Sequence, residues 1–165
     1  RLDHGHVRRQ YPMMRLIHRS AQARDAVRHA HGGGEVFVVS VLICMLLAVL
    51  ERRARISLAN HEVYASVVGG VKLTEPGADL GLCLALVSAA TNTPLAADLV
   101  VIGEVGLAGE VRQVGHLNRR LAEASRLGFT KAIVPASAPK STNGMSVHKV
   151  GTLNEALAAA QLPSS

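Results

Sequence analysis

The sequence predicts an α+β domain, a mixed sandwich of helices and strands, and three observations predict it. Strand-like and helix-like patterns alternate irregularly along the chain, which fits neither a pure bundle nor a regular βαβ repeat. Hydrophobic residues make up 48% and charged residues 18% of 165 residues, enough apolar material and length for one buried core. With no Trp, two Phe and two Tyr, that core must be aliphatic, which also argues against gripping single strands by base stacking.

Taken in order, residues 1–34 are rich in Arg and His, carry no sustained apolar period and end in Gly32, Gly33 and Gly34. They read as a basic tail or linker ahead of a domain spanning 36–162. Their histidines, His4, His6, His18, His29 and His31, lack cysteines or a catalytic frame beside them, so a solvated tail is preferred to a metal site. From Val36 to Leu50 every residue but Ser40 is apolar. Fifteen helical residues rise only about 22 Å against a hydrocarbon core of roughly 30 Å, so a buried helix is preferred to a membrane anchor. Val63 to Leu73 suits a strand with a bulge at Gly69 and Gly70.

Gly77 to Thr91 reads as a helix apolar on nearly all sides through Leu80, Leu82, Leu84, Leu86 and Val87, and so belongs at the centre of the core. Leu99 to Val105 and Glu110 to Val114 read as two strands of a hairpin turning at Gly106 and Gly109. Leu117, Leu121 and Ala124 recur at i, i+4 and i+7 among Arg119, Arg120, Glu123 and Arg126, the pattern of an amphipathic surface helix capped by Gly128. Ala132 to Val134, closed by Pro135, is a short buried strand, and Ser146 to Val150 another. Thr152 and Glu155 form a capping box for the last helix.

The net charge of +6 suggests a polyanion partner, but residues 1–56 hold ten Lys/Arg against four Asp/Glu, while residues 57–165 hold eight of each. The globular part is therefore near neutral. Cys44 and Cys83 lie in apolar runs without metal spacing and are expected to be buried thiols of a reducing compartment. No secretory signal pattern precedes them, and the protein reads as cytoplasmic.

Familiar signatures fail on inspection. Gly103, Gly106, Gly109 and Gly115 miss the spacing that receives a dinucleotide pyrophosphate. Lys140-Ser141-Thr142 follows Pro139 where a P-loop needs glycine, so no ATP hydrolysis is expected of this chain. His61-Glu62 begins a zinc-peptidase motif, but Ala65 stands where the second ligand belongs.

The segment from Gly69-Gly70 through Leu73-Thr74-Glu75-Pro76-Gly77-Ala78-Asp79-Leu80 resembles the hallmark of the RadA (Sms) family. Ala97-Asp98, Gly103 to Arg112, Arg119 to Ala124 and Ala132 to Pro135 follow that family in the same order, over about Leu46 to Ala160. More distantly the stretch is similar to the proteolytic domain of Lon, through Pro76, Ala85 to Ala89, Pro94, Gly103-Glu104 and Gly115. The resemblance implies a Lon proteolytic-domain-like fold, the ribosomal-protein-type two-layer α/β sandwich with a mixed sheet.

Lon-type proteases activate a serine with a lysine amine, because a hydroxyl attacks poorly without a base. The resemblance puts the nucleophile position at Gly77 and the lysine position at Asn118, so catalytic residues are expected at neither. Ser88, roughly 16 Å farther along the helix, is too distant to substitute.

The resemblance further implies a scaffold domain that assembles a hexameric ring and contacts DNA in recombination and repair, supporting ATP-dependent branch migration by a motor absent here. Zinc and ATP would belong to the missing family domains, with no cofactor or metal in this chain, which would then be a fragment or a truncated relative. A recombinase is a further possible partner; a membrane is not. Arg112, Arg119, Arg120, Arg126 and Lys72 are the expected phosphate contacts. Against that stands a solvated face, on which Glu123 pairs with Arg119 or Arg126, and a merely solvated Lys72. The alternative function is an ATP-independent Lon-like serine peptidase with a non-standard dyad.

Overall fold

The structure is a computed structural model that describes residues 15–16, 33–58, 65–66, 75–139 and 144–163. Most of the expected tail and its histidines, most of the strand read over Val63 to Leu73, Lys72 and the Lys140-Ser141-Thr142 segment lie outside these residues.

In chain order the elements are β1 (Arg15–Leu16), α1 (Gly33–Arg53), β2 (Ala65–Ser66), a 3-10 turn (Pro76–Ala78), α2 (Asp79–Thr91), β3 (Leu99–Val101), β4 (Glu104–Val105), β5 (Val111–Arg112), α3 (Leu117–Arg126), β6 (Lys131–Pro135), β7 (Ser146–Val150) and α4 (Leu153–Ala159). The α+β class holds, and the pairings are both parallel and antiparallel. Strands β3, β6 and β7 form a parallel sheet in that order, with Leu99 opposite Lys131 and Lys131 opposite Ser146. β4 and β5 form an antiparallel hairpin, and β1 pairs antiparallel with β2.

Helix α2 is the centre. Leu80, Leu82, Cys83, Leu84, Leu86 and Val87 are all buried, as its unbroken apolar run requires. It packs with α1, α4 and the inner side of the sheet, where Ile133 and Val150 join the same core. The opposite side of β6, Ala132 and Val134, packs with Leu117, Leu121 and Ala124 of α3 in a second cluster. β6 is therefore covered on both faces, which is why it reads as a continuous apolar run rather than an alternation.

Two expectations need correction. The stretch Leu99 to Val105 is not one strand: after Val101 the chain leaves the parallel sheet, Gly103 donates its N–H to Gly77 O at 3.1 Å, and only then does β4 begin the hairpin. Gly103 is thus held through both its N–H and its carbonyl, by the 3-10 turn and by the start of α2, since Leu80 N also donates to Gly103 O at 3.0 Å. Nor is α1 buried all round. Leu46, Val49 and Leu50 face the core, whereas Cys44 and Ala48 are exposed on the other side. Cys44 is thus a surface thiol, because one helix face was enough to complete the core; Cys83 is buried as expected.

Local signals fixed the ends of helices. After α3, Gly128 takes φ +93°, Phe129 N donates to Ala124 O and Gly128 N to Ser125 O, a Schellman motif that a glycine admits without strain. At α4, Glu155 N donates to Thr152 Oγ1 at 3.3 Å, and the Glu155 carboxylate accepts from Gly151 N at 2.7 Å, which completes the capping box one residue upstream of its usual partner.

Candidate functional site

The site is built where the 3-10 turn, the break at Gly103 and the first turn of α3 meet. Glu75 precedes Pro76 in an extended conformation, and Ala78 N closes the turn on Glu75 O at 3.2 Å. Pro76 at the first turn position suits its fixed φ and missing N–H. Gly77 is buried, and a Cβ placed on it would stand 3.5 Å from Glu75 Oε1 and 3.6 Å from the Val114 methyls. Those are ordinary contact distances, so its packing leaves room for the first atom of a side chain there.

Across from it, His116 opens α3 from a left-handed conformation with φ 56°, and buried Leu117 anchors the first turn. Asn118 follows and is exposed. Arg120 joins the two sides: Nη2 pairs with Glu75 Oε1 at 2.9 Å while Nε donates to Gly115 O at 2.9 Å. The structure thus brings the elements carrying Gly77 and Asn118 together, and an ion pair links them.

Ser88 is engaged elsewhere. Its hydroxyl donates to Thr93 O at 2.6 Å at the far end of α2. The described lysines are occupied as well, Lys131 with Asp98 and Lys149 with Ala138 O at 2.5 Å. Among the described residues no lysine amine is hydrogen-bonded to a hydroxyl.

Beneath the turn sits Asp79, a charged side chain that the core buries. Its Oδ2 accepts from Val105 N at 3.4 Å, tying α2 to the hairpin. Burial pushes its carboxyl above the ordinary range, against the Val105 hydrogen bond and helped by the nearby Glu104 charge. Burial, then the Asp79 charge, pushes the Cys83 thiol up to about 12, so this cysteine is a packing group, not a nucleophile.

The proposed phosphate contacts are scattered and mostly paired. Arg112 on β5 pairs with Glu104 at 3.4 Å and with Glu110. Arg126 meets Glu123 through Nε at 2.9 Å and Nη2 at 2.5 Å, and this contact holds the Glu123 carboxyl below its usual range. Of the two partners the sequence offered Glu123, α3 selects Arg126. Arg120 is taken by Glu75 and Gly115. Arg119 is exposed, influences Glu123 only at a distance, and makes no ion pair with a described residue. Lys72 lies outside the described residues.

Glu75 and Asp79 were missed from sequence. The signal for Glu75 was its place in the hallmark, but its partner sits forty-five positions away and nothing local announces it.

The model of the Lon protease (S16) C-terminal proteolytic domain matches residues 51–161. The DNA repair protein RadA of Mycobacterium tuberculosis H37Rv is 50% identical over 113 residues, 68% of this chain and 24% of that protein. That of Escherichia coli K12 is 49% identical over 117 residues, 70% and 25% of the two chains. The RadA of Aquifex aeolicus is 40% identical over 115 residues, 70% and 26%. The chain spans about a quarter of the length of the curated relatives it matches. Among the described residues no helix is long and apolar enough to cross a membrane.

Proposed function

We propose, for a chain that belongs to the family of Lon protease (S16) C-terminal proteolytic domains as the Lon-like domain of a RadA-type protein, that it works without peptide-bond chemistry. Its role is that of a scaffold that joins copies of itself into a ring and touches DNA during recombination and repair. What supports the reading is that Gly77 and Asn118 stand where the resemblance to Lon sets the hydroxyl and the amine of acyl transfer. Without a nucleophile and its base, no covalent step can start. The names of the relatives support a role in DNA repair. ATP-driven branch migration, with its ATP and zinc sites and a recombinase partner, would belong to parts of those proteins that this chain does not span, and the setting would be the cytoplasm.

Three measurements on the purified chain test this. With casein, no cleavage is expected; cleavage abolished by one serine substitution would replace the scaffold with a peptidase using a non-standard dyad. Light scattering should give a multiple of the 17.4 kDa chain, six-fold for a ring, and a monomer at every concentration removes the assembly role. Binding to branched DNA should weaken as salt rises, since cationic contacts release counterions; affinity indifferent to salt and to the α3 arginines removes the contact role.

A further inference from the structure

We propose that Arg120 and Glu75 form a strap that ties the 3-10 turn to α3 over Gly77 and limits access to it. The proposal rests on reading Gly77 and Asn118 as the former catalytic positions, and its geometry is specific to them. Glu75 stands two residues before Gly77, and Arg120 two residues after Asn118, so the strap joins the flanks of both. Glu75 Oε1, the oxygen that would face a Cβ on Gly77 at 3.5 Å, is the same atom that takes Arg120 Nη2 at 2.9 Å. The Val114 methyls close the other side at 3.6 Å. Arg120 is itself held from behind, through Nε to Gly115 O, so its guanidinium is aimed rather than free.

The strap is thin. The Arg120 side chain is 32% exposed and that of Glu75 52%, while Gly77 beneath is buried. A pair this wet is weak and is screened by salt, so it opens on its own and shifts how often Gly77 is exposed rather than sealing it. The carboxylate that borders position 77 is thereby committed to another partner, so a group reaching beyond a first side-chain atom there must displace it. Freeing Glu75 uncovers Gly77 and the Val114 wall together.

The test uses the full chain with Cys44→Ser, which removes the exposed thiol, and Gly77→Cys as a probe labelled by N-ethylmaleimide. Buried Cys83 serves as an internal monitor of global opening. Adding Arg120→Ala, or raising NaCl from ~50 to ~500 mM, should speed labelling at position 77 about three- to five-fold, the effect an exposed ion pair supports, with Cys83 unchanged. An unchanged rate at 77, or an equal rise at Cys83, overturns the strap. Should the Gly77→Cys protein not fold, hydrogen exchange at the Gly103 amide, which donates to Gly77 O at 3.1 Å, gives the same answer with Arg120→Ala alone. Faster exchange there supports the strap and unchanged exchange overturns it. Casein cleavage by the unaltered chain would sink the reading of Gly77 and Asn118 while leaving these rates interpretable, so the two failures are distinct.

Discussion

Asp79 accepts the Val105 N–H through Oδ2 at 3.4 Å, a long bond for a carboxylate that has left water. The folded protein therefore holds the Asp79 proton more tightly than the unfolded chain, whose carboxyl titrates near 3.8. Below that pH the group is neutral in both states. As pH climbs from 3.8 through the raised folded value, the unfolded chain ionises first and stability is lost. Asp79→Asn keeps an acceptor for Val105 and abolishes this loss. Urea denaturation between pH 3 and 7 should show the variant gaining on the parent as pH rises. A constant difference across the range would mean that Asp79 ionises normally in the fold.

Burial separates two leucines of similar chemistry. Leu84 is 0% exposed inside α2, whereas Leu107 at the hairpin tip is 69% exposed. Leu84→Ala should cost about 2–5 kcal/mol, the transfer loss plus a cavity, while Leu107→Ala should stay within about 0.5 kcal/mol. Equal costs in chemical denaturation would mean that the hairpin tip is covered in solution.

The core was legible in the sequence because α2 has no polar face to hide: Leu80 to Val87 allows no solvent-exposed orientation, and the structure buries it. The amphipathic period of α3 and the Thr152–Glu155 cap were equally local and equally readable. What escaped was non-local. Leu99 to Val105 is apolar but for Gly103 and Glu104 and reads as one strand, yet the exchange of hydrogen bonds between Gly103 and the Gly77–Leu80 segment splits it. Cys44 looked buried because its whole neighbourhood is apolar, yet which face of α1 meets the core depends on partners far along the chain. At the site, Gly77 and Asn118 rest on resemblance alone, and the Arg120–Glu75 pair that links their elements needed coordinates.

Gly106 has a close neighbour rather than an unusual backbone. A Cβ there would fall 2.1 Å from Glu110 Oε1 and 2.2 Å from its Cδ. Relief requires the carboxylate to swing away from Ala108 N, which it accepts at 3.1 Å, and from Arg112. Gly106→Ala should therefore destabilise the hairpin by about 1 kcal/mol, the low end for filling occupied space. In a Glu110→Ala background the same change should cost markedly less, since the obstacle is gone. A double-variant cycle by thermal denaturation checks this, and additive costs would place the constraint on Gly106 in its backbone instead.

If the domain touches DNA, its arginines should not contribute alike. Arg112 and Arg126 are already paired with carboxylates, and Arg120 braces Glu75, so each must give up a partner before meeting a phosphate. Arg119 has no such tie among the described residues and stands on the same exposed side of α3 as Arg126, two helical turns away. Arg119→Ala should lower affinity for branched DNA more than Arg112→Ala or Arg126→Ala, and should reduce the slope of log affinity against log salt by about one contact. Glu123→Gln should act in the opposite sense, by removing the carboxylate that pairs with Arg126 and that Arg119 also feels. Anisotropy titrations at three or more salt concentrations measure all four variants. If Glu123→Gln binds no better than the parent and Arg119→Ala binds equally well, α3 presents a solvated face and the DNA contact lies elsewhere on the chain.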